Sequence, residues 1–120
     1  MFEKFYIQAA LNKALAQDPL KGRALKNKEQ HQDSITSLLV YDIFGGEILK
    51  THQENDWYFY NRINGERLDF TGSNLNKSKD NNVFEDLPTN PDEIYNYFAE
   101  EDYSGLYMKF IDEYEAVVGL

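Results

Sequence analysis

Apolar residues fall at Ile7, Ala10, Leu11, Ala14 and Leu15, the three-and-four spacing of one helix face, and Pro19 closes the pattern. Residues 3–18 therefore read as an amphipathic helix. The following "LKGRALKNKEQHQ" is polar and basic with no sustained period, and reads as a loop. A second helix is expected to begin near Asp33 or Ser34, either of which can accept a hydrogen bond from a free first-turn N–H. Its buried set is expected to be Ile35, Leu38, Leu39, Val40 and Ile43. Gly45-Gly46 stops it, with one glycine in the left-handed position past the helix end. "EILKT" then makes a short strand.

The period changes in "DWYFYNRINGERLDFTG", where two β-favouring runs flank Asn64-Gly65. Both central residues of a type I′ turn need positive φ, and this dipeptide supplies them, so a tight hairpin is expected. A two-residue loop fixes the register: Ile63 pairs with Glu66, Asn61 with Leu68, Tyr60 with Asp69, Phe59 with Phe70 and Tyr58 with Thr71. Tyr58, Tyr60, Asp69 and Thr71 then share one face. Trp57, Phe59, Leu68 and Phe70 share the other.

Beyond a polar, Asn-rich loop over 72–83, helical signals resume with Asn90-Pro91 as cap and first residue, followed by Ile94, Tyr95 and Phe98. A last helix from about Ser104 to Val118 carries Tyr107, Phe110, Ile111, Tyr114 and Val118. The order of elements predicts one α+β domain over 1–120, a small antiparallel sheet with a tight hairpin packed against N-terminal and C-terminal helices.

Composition narrows the function more than the fold. The chain has 120 residues, 42% of them hydrophobic, and no cysteine, which suffices for a core and excludes thiol catalysis and a cysteine zinc site. A net charge of −9 repels phosphate backbones, so neither nucleic acid nor an anionic membrane is expected as a partner. A protein, of basic character, is the expected partner. Residues 83–120 hold ten acids against the single Lys109, whereas residues 1–30 hold six Lys/Arg and three acids; a solvated acidic helix face is the simplest account, and a docking surface the alternative. No apolar run reaches the roughly 18 residues of a membrane span, and no secretory leader pattern opens the chain, which leads to the expectation of a cytoplasmic protein. His31 and His52 stand apart from any metal-ligand spacing, so no metal and no cofactor are expected.

At "HQDSITSLLVYDIFGGEIL" and "DWYFYNRINGERLDFTGS" the chain resembles the YunG-like family of small bacterial proteins, over roughly residues 28–98, with "GGEIL" and "YNRINGERLDFT" the most specific part. The resemblance implies a papain-like or transglutaminase-like core. Members read Gly-Gln-Cys at the start of the second helix, Trp-His in the first hairpin strand and Asp in the second, an arrangement similar to a Cys-His-Asp site. Carried over, Gln32 keeps the oxyanion-stabilising position, Asp33 stands where the cysteine would be, Tyr58 replaces the histidine and Asp69 keeps the acid. Tyr60 shares their face. Positions 58 and 69 are diagonal neighbours in the derived register, about 7–8 Å apart.

A thiol at a helix N-terminus loses its proton readily and attacks a carbonyl with help from a histidine. Aspartate is a far poorer nucleophile, and tyrosine with its ordinary pKa near 10 is a poor base. Gln32, Asp33, Tyr58, Tyr60 and Asp69 are therefore expected to be a vestigial site in a non-catalytic binding or regulatory module. Capping alone would account for Asp33, and sheet packing for Tyr58 and Tyr60. Two rivals remain: an enzyme using Asp33 and Asp69 as an acid–base pair, and an acidic inhibitory or immunity-type protein. If the site survives, the start of the second helix should face the Tyr58/Tyr60/Asp69 side of the hairpin.

Overall fold

The computed structural model describes residues 3–17, 28–53, 56–70 and 84–119; Pro19, Thr71 and the polar loop 72–83 lie outside the described residues. The chain divides into two compact units, Met1–Ala24 with Ala99–Leu120, and Leu25–Phe98.

The first unit pairs helix α1, Lys4–Gln17, with helix α4, Glu100–Val118. The apolar stripe of α1 is buried at Ile7, Ala10, Leu11 and Ala14, as its spacing requires. On α4 the buried positions are Asp102, Leu106 and Phe110, again four apart. Gln17 ties the pair, donating to Glu113 at 2.7 Å and accepting from Lys109 at 3.1 Å. Helix α4 begins about a turn before the expected Ser104, because Glu100, Glu101 and Asp102 place negative charge against the positive end of its dipole.

The second unit holds helix α2, Lys28–Phe44, and a four-stranded antiparallel sheet in the order β3-β2-β1-β4. The strands are β1 Glu47–Gln53, β2 Asp56–Ile63, β3 Glu66–Leu68 and β4 Leu87–Pro88. A short helix α3, Pro91–Ile94, and a 3-10 turn, Tyr95–Tyr97, complete it. This is an α+β fold. Asn90 caps α3 as expected, its side chain accepting from the Glu93 N–H at 3.1 Å, with Pro91 in the first turn.

The hairpin follows the expected register, Ile63 opposite Glu66 and Asn61 opposite Leu68, around Asn64 and Gly65 at φ +53° and +81°. β3 stops there, so the expected pairs Tyr60–Asp69 and Phe59–Phe70 are not made as ladder; the expected Tyr58–Thr71 pair lies outside the described residues. Helix α2 starts at Lys28, earlier than expected, so Asp33 is not its cap: it lies in the second turn. The straight-chain residues of "KEQHQ" favour helix without supplying any apolar period to reveal it. Every residue from 33 to 40 is buried, including Asp33, Ser34, Thr36 and Ser37.

Alternation separates the two faces of the sheet. Ile48, Phe59, Asn61 and Leu68 share the face against α2, where the Asn61 amide donates to the Ser37 carbonyl at 3.0 Å. The Phe59 ring meets Tyr97 edge-on at 5.0 Å on that side. Leu49, Tyr58 and Tyr60 form a buried cluster on the opposite face, with Phe84 packed against it. The expectation that α2 would pack on the Tyr58/Tyr60 face is thus corrected. Buried Ile48, Phe59 and Leu68 form an apolar side of the sheet, and the stretch of α2 buried from Asp33 to Val40 packs on that side.

Candidate functional site

Where β3 ends, β2 is left without a strand partner on that edge among the described residues. In a two-residue hairpin the residues flanking the loop form a hydrogen-bonded pair, so Ile63, Asn61 and Phe59 all direct their backbone N–H toward β3. Leu68 answers Asn61, and no strand residue answers Phe59. Instead the Phe59 N–H donates to Asp33 Oδ2 at 2.8 Å. Asp33 reaches the hairpin through the sheet's edge, although α2 lies on the other face from Tyr58.

Asp33 is 1% exposed, and its Oδ1 has no hydrogen-bond partner among the described residues. Burial pushes its carboxyl well above the usual carboxylate range; the Phe59 and Ser34 N–H groups pull the other way, and the charge of Asp69 adds to the rise. Asp69 in turn accepts from the Tyr58 hydroxyl. Tyr58 and Asp69 are thus bonded to each other, and Asp33, held by the backbone N–H next to Tyr58, lies near enough to Asp69 to feel its charge.

Tyr60 departs from that corner in its bonding. Its ring stacks on Tyr58 at 6.4 Å, but its hydroxyl donates to Asp86 Oδ1 at 2.8 Å and accepts from the Asp86 N–H at 2.9 Å. Burial, and then the bond to Asp86, hold that hydroxyl protonated far above the ordinary tyrosine range. Gln32 is half-buried in α2 and lies one position before Asp33.

No pattern in the sequence marks Asp86 as a hub. Arg67 grips it with both ends of its guanidinium, Nε to Oδ1 at 3.0 Å and Nη2 to Oδ2 at 2.6 Å, and holds its carboxyl below the usual range. Arg62, directly opposite Arg67 in the ladder, lies 3.9 Å from Asp86 and pairs with Glu47 through two bonds of 2.8 and 3.0 Å. Phe84 and Asp86 both meet Tyr60 and Arg67, but Asp86 holds a left-handed backbone at φ +54°, so strand alternation in "FED" could not have found them.

Among the described residues no group of three or more His, Cys, Asp or Glu side chains is placed to hold a metal ion, and no helix is long and apolar enough to cross a membrane.

The Bacillus subtilis (strain 168) protein described as "Uncharacterized protein YunG" is 35% identical over 75 residues, which span 62% of this chain and 63% of that relative. The chain therefore aligns with less than two thirds of that relative's length. No solved structure matches the chain significantly. The family described as "YunG protein" matches residues 6–115, a span that includes α2, the hairpin and the Asp33–Asp69 corner, and the chain belongs to the YunG family.

Proposed function

We propose that this chain is a non-catalytic YunG-family protein, a binding or regulatory module of cytoplasmic type built on a papain-like core whose reactive corner has become structural. The observation that carries the reading is the bond between the Phe59 N–H and Asp33. A nucleophile must present a free, approachable atom to its substrate. Asp33 is buried inside α2 and committed to closing the edge of β2, while Tyr58 is committed to Asp69. The papain-like part of the reading is supported by the approach of residue 33 to positions 58 and 69.

The purified protein is expected to give no turnover of peptide, amide or ester substrates above the buffer rate. Turnover abolished by Asp33→Asn would overturn the reading.

One observation favours a second reading. Asp33 and Asp69 lie close enough for one charge to raise the other's proton affinity, the electrostatic basis of acid–base carboxylate pairs. Under that reading Asp69→Asn and Asp33→Asn would each abolish a measurable activity. If neither changes any, the pair is structural.

A further inference from the structure

The segment Phe84–Pro88 lies on the sheet like a bound peptide. Its ladder contribution is slight: Leu87 and Pro88 face Lys50 and Leu49, Pro88 has no N–H to give, and the Thr89 N–H reaches the Ile48 carbonyl at 3.1 Å. Side chains hold the rest. The Phe84 ring sits edge-on to Tyr60 at 5.0 Å, with the Arg67 guanidinium over it at 4.2 Å. Glu85 accepts from the His52 N–H at 2.6 Å and from the Thr51 hydroxyl at 3.2 Å, and its own N–H donates back to Thr51 at 3.0 Å. Asp86 fills the fork of Arg67 and meets the Tyr60 hydroxyl.

The charges are sorted in the same sense. Arg62 of β2 and Arg67 of β3 belong to the sheet, Arg62 being paired also to Glu47 of β1, whereas Asp86 belongs to the segment laid against them. Although the chain is acidic as a whole, the Arg67 guanidinium gives this face a cationic slot filled by that segment. Asp86 also holds φ +54°, a left-handed backbone that aspartate adopts more readily than most residues and that its bonds to Tyr60 and Arg67 hold in place. An edge strand completed by backbone bonds, with side-chain slots at fixed spacing, is how sheets recognise extended peptides.

We propose that the β1 edge together with Tyr60, Arg62 and Arg67 is a peptide-recognition groove, occupied in the resting protein by its own Phe84–Pro88, and that its partner is an acidic segment of another protein carrying an aromatic residue two positions before a carboxylate, with the same bend at that carboxylate. The aromatic ring takes the slot between Tyr60 and Arg67, the carboxylate takes the Arg67 fork, and the intervening acid takes the Thr51–His52 backbone. The resident segment lowers apparent affinity by the fraction of time it is seated. The proposal deepens the binding reading above and rests on it.

The test uses a fluorescein-labelled peptide of residues 82–90, "NVFEDLPTN", titrated by anisotropy against full-length protein. A Phe84→Ala/Asp86→Ala variant, its own segment weakened, is expected to bind the peptide about tenfold or more tightly than wild type. Adding Arg67→Ala should return binding to the wild-type level. Equal binding by wild type and the double variant, or binding indifferent to Arg67, overturns the groove. Should the double variant not fold, hydrogen exchange in wild type decides: the Glu85, Asp86 and Thr89 amides must exchange through local opening, faster than the β1–β2 ladder, and exchange only at the global rate overturns it. A concentration-dependent dimer that the double variant loses would name a second copy as occupant and overturn the partner assignment. Peptide failure without turnover sinks the groove alone, whereas turnover of an amide substrate sinks the reading on which it rests.

Discussion

The Phe59 amide lies 2.8 Å from Asp33 Oδ2, so a helix side chain takes the position that a longer β3 would have filled. The carboxylate joins α2 to the sheet where the hairpin ladder stops.

Asp33 makes stability depend on pH in a direction opposite to most paired acids. Its folded-state proton affinity is raised, so between the unfolded value near about 3.9 and the higher folded one the native state binds more protons than the unfolded chain. Its contribution to stability is therefore present below about pH 4 and falls as pH rises through the folded value. Asp33→Asn keeps an acceptor for Phe59 and cannot ionise, so it should be more stable than wild type at pH 8, with the gap closing toward pH 4. Asp33→Ala strands the Phe59 N–H and should cost about 1–3 kcal/mol. Urea unfolding followed through Trp57, the single tryptophan, measures all three.

Tyr58→Phe removes only the hydroxyl that Asp69 accepts, and should destabilise by about 1.5–3 kcal/mol, the range for bonds to charged groups. Tyr107→Phe, at a ring 37% exposed, should stay within about 0.5 kcal/mol. Equal melting temperatures for the two variants would remove Tyr58–Asp69 from the structural account.

Gly45 and Gly46 share a left-handed backbone, at φ +81° and +83°, yet their surroundings differ. A Cβ at Gly45 would meet nothing within 4 Å, so Gly45→Ala should cost about 1–2 kcal/mol of backbone strain alone. At Gly46 the Cβ would stand 2.6 Å from the Arg62 carbonyl oxygen and 2.8 Å from the Ile63 side chain. Gly46→Ala should add about 1–3 kcal/mol of overpacking and shift the denaturation midpoint correspondingly further.

A cysteine placed at position 33 tests whether that position could activate a nucleophile. The position is buried and lies in the second turn of α2, away from the free N–H groups that would favour a thiolate. Asp33→Cys should react with iodoacetamide more slowly than free cysteine at every pH from about 6 to 8. A faster reaction would restore residue 33 to a working helix terminus.

The hairpin was legible because a two-residue Asn-Gly loop leaves one register, and α1 because its apolar stripe marks one face. Helix α2 was legible only from Asp33 onward: Lys28 to Gln32 carry no apolar period in the sequence for a pattern to detect. The Asp33, Tyr58 and Asp69 corner came from resemblance together with register, and the structure brings those residues together by an edge contact that strand alternation alone does not describe. β4 was hidden because two residues ending in proline do not look like a strand. Asp86 was hidden because its partners, Tyr60 and Arg67, are separated from it by 26 and 19 positions.

Arg62 and Arg67 face each other across a non-hydrogen-bonded pair, where side chains stand closest and like charges oppose closure. The carboxylates that neutralise them, Glu47 and Asp86, both come from outside the hairpin. A local turn with an ideal loop is thus coupled to two distant stretches of chain. Full neutralisation of the hairpin therefore rests on contacts of long sequence separation, so the stability of this local turn is shared with β1 and with the segment that carries Asp86.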